Sequence, residues 1–102
     1  MSDERRSSAR KTVNLVVKWD SLSGSYEAKL EDISLGGCFI NTTGLADLDE
    51  VMNLEVLLPS GEWLPLKGTV TTSQPGIGFG VVFSSLTDEQ TQAVEKLCRD
   101  TY

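Results

Sequence analysis

The stretch TVNLVVKWDSLSGSYEAKLEDI, residues 12–33, reads as two amphipathic strands joined by a turn. In its first half Val13, Leu15, Val17 and Trp19 fall on one side, with Asn14 and Lys18 on the other. That two-residue period is the signature of a half-buried strand. SLSG at 21–24 supplies turn residues, after which Tyr26, Ala28 and Leu30 alternate with Glu27, Lys29 and Glu31, completing a hairpin.

The same period recurs downstream. A Gly-Gly break at 36 and 37 leads into the short β-prone run CFINT (38–42), and an acidic loop, TGLADLDE (43–50), separates it from VMNLEVLLP (51–59), which sets Met52, Leu54, Val56 and Leu58 on one face. SGE then turns into WLPLKGTVTTS (63–73), where Pro65 lacks a ladder donor and so predicts a strand that starts at an edge or bends. QPG turns once more into IGFGVVFSS (77–85).

Only the ending changes period. Thr87 is placed to cap the first free amides of a helix and Gln90, three residues on, to reach back in a capping box. Ala93, Val94, Leu97 and Cys98 then follow at helical spacing, leaving Glu89, Glu95, Lys96 and Arg99 largely outside. Asp88 and Glu89 at the start, with Lys96 and Arg99 near the end, suit the helix dipole. About six short strands and one closing helix predict a mostly β fold, a closed or nearly closed antiparallel barrel.

Charge divides the chain in two. Residues 1–11 carry Arg5, Arg6, Arg10 and Lys11 against Asp3 and Glu4, net +2, whereas residues 12–102 carry five basic and thirteen acidic side chains, net −8. The division predicts a flexible arginine-rich arm over 1–11 and a barrel with its helix over 12–102. An acidic body is a poor surface for duplex DNA, whose affinity comes from neutralising many phosphates. An RNA-binding barrel would need basic strands with exposed aromatics; here Trp19, Phe39, Phe79 and Phe83 lie among apolar neighbours.

Other classes are disfavoured by inventory. No apolar run is long enough to span a bilayer, and the polar opening lacks the core of a signal peptide, which together predict a cytoplasmic protein without membrane insertion. With no histidine in 102 residues, the commonest general base is missing and no Ser-His or Cys-His nucleophile can be built. Catalysis is not expected. Cys38 and Cys98 form neither a Cys-x-x-Cys pair nor a zinc set and read as reduced core thiols, so no metal or cofactor is predicted. Asp47, Asp49 and Glu50 read as a solvated loop without calcium-loop spacing. GIGFG (76–80) looks superficially like a phosphate loop, but no helix follows it, and Gly78 and Gly80 read instead as relief of crowding in a curved strand.

Two stretches carry more than packing. Arg6-Ser-Ser-Ala-Arg10 offers guanidinium groups for an anion; Asp32-Ile-Ser34-Leu-Gly36-Gly37 offers a carboxylate and a hydroxyl two apart, read as pointing the same way along a strand, with glycines beyond them that admit a flat ligand. The ordered pair, Arg6-x-x-x-Arg10 before the first strand and Asp32-x-Ser34-x-x-Gly37 at the end of the second, resembles the PilZ domain of bacteria. The strand count, the final helix and Gly78-x-Gly80-x-x-Phe83 agree with the same resemblance, which extends over nearly the whole chain.

The resemblance implies a six-stranded PilZ-type barrel with a C-terminal helix that binds the second messenger cyclic di-GMP. It implies that Arg6 and Arg10 grip phosphates and guanines, that Asp32 accepts from guanine N–H groups, that Ser34 bonds to phosphate or base, and that Gly36 and Gly37 keep the surface open. Guanidinium suits its part, since its planar fork makes bidentate bonds and its face stacks on a base. Arg5, just before the first motif, implies an intercalated pair of ligands rather than one. The composition of the arm has too little apolar surface to offset ordering entropy. The expected mechanism is therefore ligand-driven ordering of the arm onto the barrel, read by an unidentified downstream protein. The competing expectation is a ligand-independent interaction module of the same fold.

Overall fold

The computed structural model describes residues 11–21 and 24–100. They form β1 (Lys11–Ser21), β2 (Gly24–Ile33), β3 (Gly37–Asn41), β4 (Val51–Leu57), β5 (Trp63–Gln74), β6 (Gly78–Phe83) and α1 (Asp88–Asp100). All the strand pairings are antiparallel in the order β1-β2-β3-β6-β5-β4, and β4 returns to β1 through Val17↔Val56 and Asp20↔Asn53 to close a barrel. Closure gives every strand two neighbours, although some strand ends pair on one side only. The barrel begins at Lys11, so the arm with Arg5, Arg6 and Arg10 lies outside the described residues.

Inside the barrel the apolar faces of the strands meet: Val13, Val17 and Trp19 of β1, Leu30 and Ile33 of β2, Ile40 of β3, Leu54 of β4, Val70 of β5, and Phe79 and Val81 of β6 are all buried. Each large apolar side chain so removed from water contributes on the order of 1.5–3 kcal/mol. Trp19 is the largest of them, stacked against Tyr26 at 5.3 Å and edge-on to Phe79 at 5.2 Å. Its indole Nε1 finds no hydrogen-bond partner among the described residues. Burying that N–H costs about 1–3 kcal/mol, set against the removal of the ring from water and its two aromatic contacts.

α1 closes one end of the barrel. Its capping box forms as the sequence predicts, with Thr87 N–H donating to Gln90 Oε1 at 2.8 Å and Gln90 N–H to Thr87 Oγ1 at 3.1 Å. Gln90 Nε2 also donates to the Pro65 carbonyl at 2.8 Å. A strand residue's N and C=O point to the same side, so the N–H that Pro65 lacks would also face the helix. β6 pairs with β5 only from Gly68 onward, which makes Pro65 part of a local edge where the missing donor costs nothing. Further along, Val94 and Leu97 are buried.

Candidate functional site

Asp32 owes its position to two irregularities. Strict alternation from buried Leu30 would send Asp32 inside and Ile33 outside, yet Ile33 is buried and Asp32 half-buried on the outer side. The register explains it: against β3, the partners step from Leu30↔Ile40 to Asp32↔Phe39, leaving Glu31 as an extra residue. Against β1 they step from Thr12↔Asp32 to Leu15↔Leu30, so that β1 holds the surplus. Bulges re-aim side chains and strengthen local twist. Here they turn a carboxylate out of a position that alternation assigns to the core.

β2 ends at Ile33, so Ser34 belongs to a turn and not to the strand. This corrects the expectation that Asp32 and Ser34 share a strand face. Ser34 is buried at 4% exposure; its N–H donates to the Gly37 carbonyl at 2.8 Å, and its Oγ accepts from Gly36 N–H at 3.2 Å. The hydroxyl also approaches the Gly37 carbonyl at 3.4 Å, a weak contact. Phe83 N–H donates to the Gly36 carbonyl at 2.9 Å, tying the turn to the end of β6. Gly36 is exposed, and a side chain there would meet little except Ser34 Oγ. Gly37 is buried, and a Cβ would collide with the carbonyl oxygen of Val81, so its missing side chain admits the β6 backbone.

The start of β1 and the last turn of α1 meet at the same end. Lys11 pairs with Ile33, and Cys98 Sγ lies 3.7 Å from the Ile33 carbonyl. Cys98 is a free thiol, as is the buried Cys38. Desolvation by burial pushes the Cys98 thiol above its ordinary value, with Glu95 adding to the rise and the Lys11 ammonium opposing it. Lys11 is thus near enough to feel the helix, and the residue before it is Arg10, the second arginine of the first motif.

The structure brings Asp32, Ser34, Gly36 and Gly37 together at one end of the barrel, where β1 also starts. Arg5, Arg6 and Arg10 fall outside the described residues. A neighbour that the sequence reading grouped with the aromatics among apolar residues is Phe39, which is only half-buried and stands directly opposite Asp32. In the run GCFIN its phase is masked by apolar residues on both sides, of which Cys38 and Ile40 are fully buried. A separate groove of about 420 Å³ between the β4–β5 turn (Leu58, Pro59, Glu62) and α1 (Ala93, Lys96, Leu97) contains none of the anticipated residues.

Comparison with known proteins agrees with this architecture. The PilZ domain family model matches residues 4–100. No curated protein matches the chain. The PilZ domain of CeSA from a cellulose-synthesizing bacterium superposes with a TM-score of 0.73 at 22% identity, covering 91% of this chain and 97% of that one. The inhibitor of motility MotI/DgrA of Bacillus subtilis gives 0.76 at 19%, covering 94% of this chain and 50% of that one. PlzA of Borreliella burgdorferi, solved in complex with c-di-GMP, gives 0.61 at 12%, covering 96% of this chain and 37% of that one. This chain thus spans about half of the motility inhibitor and less of PlzA. At these identities the likeness is one of fold.

Proposed function

Because the chain belongs to the PilZ domain family, we propose that it is a receptor for cyclic di-GMP whose ligand bridges the arginine arm to the barrel. The observation that carries this reading is the outward carboxylate of Asp32, turned out by flanking bulges at the end of the barrel where β1 begins. A carboxylate there accepts from guanine N–H groups, while Arg6 and Arg10 supply the forked donors that phosphates and the guanine acceptor edge require. Arg5 adds a contact for a second, intercalated ligand molecule. The role is one of binding, not catalysis. Ordering of the arm up to Arg10 on the ligand changes the exposed surface, and a downstream protein reads that change.

Isothermal calorimetry with cyclic di-GMP tests the core of the reading. The wild-type chain should bind, with two ligands per domain. Loss of one charge-assisted hydrogen bond of roughly 1.5–3 kcal/mol predicts about ten- to a hundredfold weaker binding by Asp32→Ala. Arg10→Lys should lose most affinity, because lysine keeps the charge without the fork. Hydrogen exchange over residues 4–10 should show protection only with ligand; equal exchange in both states rules out the ordering step.

The competing reading, a ligand-independent interaction module, draws support from Ser34, whose buried hydroxyl is already engaged within its own turn. Absence of binding by the wild-type chain would decide for it.

A further inference from the structure

Phe39 lies on the outside of the barrel, since Cys38 and Ile40 on either side of it are fully buried within. It stands directly opposite Asp32 on β2 and directly opposite Gly80 on β6. Gly80 in turn pairs with Thr72, so Thr12, Asp32, Phe39, Gly80 and Thr72 form one row across five strands. Side chains directly opposite in an antiparallel pair have Cβ atoms about 4.5–5.5 Å apart. The two side chains therefore leave the wall side by side, the Phe39 ring lying toward β6 and Asp32 standing on the β2 side of it.

The ring is also held from below. A Cβ on Gly78 would sit 2.8 Å from Phe39 Cε2, and one on Gly80 would sit 3.8 Å from Cδ1. At Gly78 the ring, together with the Ile40 carbonyl, occupies space a side chain would need; at Gly80 Thr72 Oγ1 takes that space and the ring is in ordinary contact. GIGFG, which failed as a phosphate loop, here makes a shelf for an aromatic on the neighbouring strand. Phe39 remains only half-buried on that shelf. A pre-positioned aromatic ring offers a base a stacking surface at little entropic cost. A carboxylate alongside offers the same base an acceptor for its edge donors.

We infer that Phe39 is the stacking floor of the binding site, supporting a guanine base whose N–H edge is read by Asp32. The inference rests on the cyclic di-GMP reading and adds to it a residue outside both sequence motifs. It also gives purine selectivity a physical source, because face and edge of the base are recognised by adjacent residues of one cross-strand pair.

The test is calorimetry with cyclic di-GMP on the wild-type chain, Phe39→Leu and Phe39→Tyr, with melting curves of each apo protein and NMR of the guanine H8 protons. Leucine still covers the two glycines but has no π face, so Phe39→Leu should bind about tenfold more weakly at an unchanged Tm. Phe39→Tyr should stay within about twofold of wild type, since it keeps the ring. An H8 signal should shift further upfield on binding to the wild-type and tyrosine proteins than to the leucine variant, beyond the shift that stacking between the two ligand molecules gives in all three. Unchanged affinity of Phe39→Leu, an equal H8 shift in all three proteins, or parallel losses of affinity and Tm in both variants overturns this inference while leaving cyclic di-GMP binding intact. Absence of wild-type binding overturns both.

Discussion

The β4–β5 pair and the end of β2 start from the same two-residue pattern and finish differently. Between β4 and β5 the register runs unbroken from Val51↔Thr69 to Leu57↔Trp63, with Met52, Leu54 and Val56 buried at every second position. At the end of β2 the register slips against both neighbours, two successive residues face outward, and the chain leaves the strand into a turn that buries a serine. The regular pair builds the wall; on our reading the irregular end holds the ligand. Regular alternation maximises burial but offers only long, evenly spaced side chains to solvent. A bulge sacrifices a rung of the ladder to place one polar group where packing alone would not.

That contrast can be broken by mutation. The largest effect is expected in the wall, where Leu54→Ala should destabilise by about 2–5 kcal/mol in urea unfolding yet leave the affinity of the folded protein for cyclic di-GMP unchanged. Gly37→Ala should cost about 1–3 kcal/mol through its collision with the Val81 carbonyl. Unlike the wall variant it should also weaken binding, because the 34–37 turn must shift. Asp32→Ala should show the reverse profile, with the affinity loss given above and a smaller loss of stability than either of those variants. A large fall in its apo Tm would mean that Asp32 serves the fold.

Smaller effects sharpen the comparison at the helix. Thr87→Ala removes the cap that receives Gln90 N–H and should cost about 1 kcal/mol, read as a shift in the denaturant midpoint without change in slope. The smallest belongs to Cys98. Its folded thiol titrates above the ordinary 9.0, chiefly through desolvation, so the neutral form is favoured by folding. Its contribution to stability is fully present below pH 9 and is lost as pH rises through the raised value. Iodoacetamide alkylation followed against pH should give a midpoint above 9 for the native protein and a lower one in urea.

What the sequence determined by itself was local. Strand phases in β1 and β4, the capping box of Thr87 and Gln90, and the inward face of α1 were all legible, because each depends on contacts within a few residues of itself. The motif residues were legible as types, a carboxylate and glycines in a set order, though not as geometry. The tertiary structure decided that Asp32 points out, that Ser34 is buried in a turn, and that Phe39 sits on the outer wall over Gly78 and Gly80. The physical reason is that a bulge is a mismatch in residue count between two paired strands. Neither strand encodes it alone, and the glycines that make room for Phe39 lie on a strand distant in sequence.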